Sequence, residues 1–159
     1  MARYARTTLF IVTFGLMLTI GAPAMAAAEE EALVVETSPH DVPATVQRLE
    51  AAVVAKGAKV VAAIDHAAAA RASGLSLRPT VLVLFGNPKL GTPLMQSEQT
   101  AGLDLPLRVL VWQDAAGATQ VGYTPPAAIA ARHRIEDHGE LIEKMAGALS
   151  AITAEATAR

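Results

Sequence analysis

Between Asp41 and Gly57 the chain carries a complete helix signature with start and stop signals, and strand-like runs abut it on both sides. Asp41 is a good N-cap, because a short acid accepts hydrogen bonds from the free N–H groups of a first turn, and Pro43 is tolerated there. Val42, Val46, Leu49 and Val53 recur at helical spacing and make one apolar stripe. Lys56 falls in the last turn and Gly57 is a natural residue to follow it. Ahead of this helix, residues 32–37 read as a first strand, broken by Ser38-Pro39. Behind it, Lys59 to Ile64 reads as a second strand after a short connection. A striped helix tied this closely to two strands must lay its stripe on a sheet.

The remaining segments extend that pattern. Asp65 caps a short helical run from His66 to Ser73, closed by Gly74. Thr80 to Phe85 is apolar at nearly every position, which suits a central strand, and it stops at Gly86-Asn87-Pro88. Thr92 as N-cap with Pro93 at N1 predicts a helix to about Ala101, ended by Gly102. Leu107 to Trp112 and Ala118 to Tyr123 form a hairpin about the turn Asp114 to Gly117. Thr124-Pro125-Pro126 opens a short helix lasting to about Arg134. Asp137 caps a final helix, with Glu140 completing a capping-box pattern, and the tail after Glu155 is expected to fray. Leu141, Ile142, Met145, Leu149 and Ile152 give this helix its apolar face. The economical arrangement is α+β: a single, mainly antiparallel sheet of about five strands, with the two long helices on one face.

The N-terminus differs from the rest. Arg3 and Arg6 precede an uncharged apolar run, Leu9 to Ile20. Gly21, Pro23 and an A-x-A at Ala24-Met25-Ala26 follow, the pattern of a cleavable secretory signal peptide over residues 1–26. An uncleaved anchor competes, but that run is short of the roughly 20 apolar residues a spanning helix needs. The expected organisation is thus a signal peptide, a tail over 27–32 with the acids Glu29 to Glu31, and one α/β domain over 33–155. The domain would be periplasmic or secreted, with no stable membrane anchor after cleavage. Cleavage removes two arginines and no acid, leaving 11 basic against 15 acidic residues. Basic side chains do not cluster, so nucleic acid is not an expected partner. Cysteine is absent, which excludes disulfides, thiolate metal sites and cysteine nucleophiles.

Several ordered segments carry a resemblance. They include Thr45 to Glu50, Ile64 to Ala68, Gly74-Leu75, Leu77 to Thr80, Phe85 to Lys89, and Gly91 to Gln96. Ala101 to Leu107, Val111 to Asp114 and Ala130 to His133 complete the set. Together they resemble the bacterial family called domain of unknown function 302, over about residues 33 to 155. The resemblance implies a curved antiparallel sheet with helices on one side (β-α-β-β-β-β-α), in the manner of a TATA-binding-protein-like half. It also implies a homodimer. It implies no chemistry, and the shared sheet shape of a DNA-binding protein is fold analogy alone.

Chemistry-bearing residues are few. Gly86 to Pro93 leaves a strand, turns through two glycines and enters a helix whose N-terminus presents unpaired N–H groups and partial positive charge. With Asn87, Lys89, Gly91 and Thr92 this turn suits a small anion, although it lacks the pattern of a P-loop. The plain alternative is a well-capped turn. Asp65-His66 is a second candidate, with Asp65 equally explained as a cap. A metal site would have to be assembled from distant segments, namely His66, Met95 and His133, with the thioether favouring a soft ion such as Cu(I) or a haem role. No nucleophile elbow is present, and Ser73, Ser76 and Ser97 have no activating base beside them. The cofactor is left open. An exported binding or interaction domain, for an anionic small molecule at Asn87, Lys89, Gly91 and Thr92 with Asp65-His66 nearby, is therefore expected ahead of an enzyme. A copper or haem handler, and a structural dimer serving a protein partner, are the alternatives.

Overall fold

A computed structural model describes residues 33–159, so the expected signal peptide and tail lie outside the described residues. The elements run β1 (Val34–Ser38), α1 (Val42–Ala55), β2 (Lys59–Asp65), α2 (His66–Ala72), β3 (Thr80–Gly86) and α3 (Pro88–Ser97). After a 3-10 turn (Gln99–Leu103) come β4 (Leu107–Gln113), β5 (Thr119–Tyr123), α4 (Pro126–His133) and α5 (Gly139–Thr157). All five strands form one antiparallel sheet in the order β1-β5-β4-β3-β2, so α1 carries the chain from one sheet edge to the other. The expected α+β class and its five-stranded sheet are borne out.

Alternation along the strands sorts the sheet into two faces. One face presents Val83, Phe85, Val109, Val111 and Val121, each at most 2% exposed. Leu49, Ala52 and Val53 of α1 and Met145, Leu149 and Ile152 of α5 complete that core. The register places a different row on the opposite face. Ile64, Leu82, Leu110, Gly122 and Val35 pair successively across all five strands, and the row holds no charge. Its ends are open, with Val35 48% and Ile64 42% exposed. Trp112 lies over Gly122, where an added Cβ would stand 2.9 Å from the indole, so any larger residue there would have to displace the ring.

Capping departs from expectation in three places. First, α3 begins at Pro88 rather than Pro93. The Asn87 side chain accepts from the Lys89 amide at 2.9 Å, and Pro88 starts the helix in its first turn. Thr92 therefore does not cap, and Pro93 sits inside the helix. The first of two successive proline signals wins because Asn87 already occupies an extended cap conformation. Second, α4 opens after Pro125, with no side-chain cap from Thr124. Third, α5 opens after His138 without a side-chain cap, because Asp137 instead accepts from Ser97 Oγ at 2.7 Å. The C-terminal end is also better held than expected. Helix α5 runs to Thr157, and Arg48 donates to the carbonyls of Glu155, Ala156 and Ala158. One α1 side chain thereby satisfies acceptors that a helix end leaves open.

The two sides of α1 should respond differently to truncation. Leu49→Ala, at a fully buried position, should cost about 2–5 kcal/mol in urea denaturation. Val54→Ala, at a position 64% exposed, should stay within about 0.5 kcal/mol. Equal costs would mean that α1 does not face the core with this stripe.

Candidate functional site

Helix α1 ends, β2 begins and β3 ends at the same end of the sheet, because Lys59 registers with Gly86. Asn87, the cap of α3, and the start of that helix through Thr92 lie here, and between them, the sheet and α5 opens a cavity of about 370 Å³. Phe85 and Leu107 from the sheet, Met95 from α3 and Met145, Leu149 and Ile152 from α5 supply its apolar lining. Its polar lining residues are Lys56, Lys59, Asn87 and Thr92, with both lysines exposed at the rim, and no acid lines it. Among the described residues neither lysine is in an ion pair. The volume lies within the range of small-ligand sites, which are mostly apolar with a few convergent polar groups.

The wall formed by Leu105, Pro106 and Leu107 is fixed from behind by Asp104. This carboxylate is 5% exposed and meets three basic side chains. His133 Nε2 lies 2.7 Å from Oδ2, Arg132 Nη1 lies 3.1 Å from both oxygens, and Arg108 pairs with Oδ1. The Thr100 hydroxyl contacts His133 Nδ1 at 2.9 Å and Glu98 Oε1 at 3.0 Å. The network ties the 3-10 turn, β4 and α4 together. Burial alone would raise the Asp104 carboxyl, but the His133 hydrogen bond and the two guanidiniums outweigh it and hold the group below the ordinary aspartate value.

The expected residues divide by location. Asn87, Gly91 and Thr92 do border the cavity, and so does Met95. Lys89 is exposed and is not among the lining residues; the basic residues at the cavity are Lys56 and Lys59. Asn87 is occupied as well, its Nδ2 donating to the Gly57 carbonyl at 3.3 Å. Asp65 and His66 stand at the other end of β2, a strand length of roughly 20 Å away. Asp65 caps α2 through the Ala68 amide at 2.8 Å, and it borders a separate, more polar groove of about 680 Å³ between α1 and α2. The expectation that Asp65-His66 lies near the turn is therefore corrected. The set His66, Met95 and His133 is not assembled either. His66 is exposed beyond the far end of β2, and both ring nitrogens of His133 are engaged by Asp104 and Thr100. Among the described residues no group of three His, Asp or Glu is gathered to hold a metal ion. Sequence reasoning missed the pairing of Asp104 with His133, which lie 29 positions apart and follow no motif spacing.

Comparison with known proteins agrees with this architecture. A family model described as "Domain of unknown function DUF302" matches residues 34–152. A protein of Brucella suis named "Fluoride-specific ion channel FluC 1" is 42% identical over 113 residues, 71% of this chain and 44% of its own length. A Brucella melitensis protein named "Fluoride-specific ion channel FluC 2" is likewise 42% identical, and 42% of it is covered. The chain thus spans less than half the length of these curated relatives. A crystal structure of an uncharacterized conserved protein DUF302 from Bacillus stearothermophilus superposes with a TM-score of 0.71 at 19% identity. That match covers 78% of this chain and 97% of the other, a likeness of fold.

The Asp104 network sets an acid sensitivity. A depressed folded pKa contributes stability above the unfolded value, and that contribution is lost as pH falls through the folded pKa. Asp104→Asn should cost about 1–3 kcal/mol at pH 7 by urea denaturation. The difference from wild type should shrink as pH falls below roughly 4. A difference independent of pH would mean that the charge on Asp104 contributes nothing.

Proposed function

The chain belongs to the DUF302 family, and within it we propose that this member is an exported binding domain for an anionic small molecule, with its site at the cavity beside Asn87–Thr92. The observation that carries this reading is the charge of the lining, two lysines and no acid around an apolar floor. An anion there gains from both ammonium groups and meets no like charge. The turn first expected to hold the anion supplies one rim of the cavity, while the cations come from the α1–β2 connection. The Asp104 network acts as a support of the wall, since its hydrogen bonds are already satisfied.

Titration of the purified protein with 8-anilinonaphthalene-1-sulfonate tests this reading. One equivalent should bind, and the Lys56→Ala/Lys59→Ala double variant should bind about five- to tenfold more weakly with its thermal midpoint unchanged. Unaltered affinity in a folded double variant would sink the proposal.

A homodimer that serves a membrane transport protein is the second function supported, and it is compatible with the first. In the Brucella relatives the matching stretch is less than half of a protein named as an ion channel, so the domain is joined there to further chain. The uncharged row Ile64–Leu82–Leu110–Gly122–Val35 offers a surface for a second copy, since an apolar patch without charge is complementary to itself. Wild type should then run as a dimer in light scattering, and Leu110→Glu as a folded monomer. A monomeric wild type would refute the dimer.

A further inference from the structure

The polar groups of the cavity are not spread around it. Lys56 follows α1, Lys59 opens β2, and Asn87 and Thr92 follow β3, so all four gather at one end of the sheet. Away from them the lining is apolar, and Phe85, Leu149 and Ile152 belong to the protein's own core at 1–2% exposure. Met95 and Met145 add two flexible, polarizable side chains able to fit tails of differing shape. A small hydrated ion such as phosphate would leave this floor unused, because apolar walls cannot replace its lost water. A neutral apolar molecule would leave the two ammonium groups unmatched.

We propose that the ligand is an amphipathic anion: one anionic head, held at Lys56 and Lys59, on an unbranched or flat apolar body of roughly ten atoms that lies along α5. This rests on the cavity being the ligand site. The body extends the core, so each methylene removed from water adds to affinity. The charge of the head sets orientation and excludes amines. Ala148 lines the cavity on α5 and is the point at which a larger side chain would occupy the space of the tail.

Calorimetric titration with butanoate, hexanoate, octanoate and decanoate tests the class. Decyl phosphate, decylamine and inorganic phosphate complete the series. Affinity should rise up to about fourfold per added methylene and level off near decanoate. Decylamine should bind at least tenfold more weakly than decanoate. Decanoate above decyl phosphate would assign a free carboxylate, and the reverse order a single-chain lipid phosphate; both orders support the class. Ala148→Phe should weaken decanoate at least tenfold while the protein keeps its thermal midpoint. Anions that bind through the two lysines with no dependence on chain length would overturn the amphipathic ligand and leave the anion site standing. Failure of every anion, sulfonate dye included, would overturn both.

Discussion

Leu49 on α1 and Leu149 on α5 reach full burial against the same face of the sheet, and nearly every other placement in the molecule answers to that contact. An antiparallel sheet with one face covered by helices must present to them the side chains that pack into the core, here Val83, Phe85, Val109, Val111 and Val121. Because β1 and β2 occupy opposite edges, α1 has to run across the sheet between them. It fills only part of the covered face, and α5 fills more of it. The Arg48 guanidinium then joins the two helices through the last carbonyls of α5, which makes the seal polar at one end and apolar along its length.

Where that seal is incomplete, the cavity appears. Helix α1 ends at Ala55, before β2 begins, and the cavity lies beside the start of β2 and the end of β3, with α3 on one of its sides. The gap is floored by core residues and rimmed by a chain turn on each side. Lys56 and Lys59 lie at this rim because a short connection between a helix C-terminus and a strand is exposed, and a basic residue there also favours the helix dipole. Their place is thus partly a product of folding. The absence of any acid in the same lining is not required by folding, and for that reason it bears on function.

Local signals account for what is legible in the sequence. The Asp41 cap, the stripe Val42-Val46-Leu49-Val53, the Asp65 cap and the hairpin at Asp114–Gly117 each depend on residues within a few positions of one another. Competition between two local signals is harder to decide. Asn87-Pro88 and Thr92-Pro93 both read as helix starts, and the outcome turns on the Asn87 side chain reaching the Lys89 amide. Asp137 shows the same limit, since its carboxylate is taken by Ser97 from another helix rather than by its own. The site is less legible still. Asn87, Gly91 and Thr92 are found from their turn, but Lys56 and Lys59 join them only through the pairing of β2 with β3. His66 shows the reverse: its neighbours along the chain suggest a site, and the length of one strand removes it.

Asp104 illustrates how such distant residues can govern a site they do not touch. Its carboxylate sits one residue before the wall Leu105–Leu107 and is held by groups from α4 and β4. A buried acid met by three basic groups fixes its own backbone firmly, because any shift would leave charge unpaired in a poorly solvated place. The wall is therefore set by electrostatics on one side and by packing on the other. The α5 side of the cavity is lined by the apolar residues Met145, Ala148, Leu149 and Ile152, of which Met145 is pliable. One apolar wall is thus anchored by charge and the facing one carries a methionine, so the apolar body of a ligand meets one fixed surface and one adaptable surface.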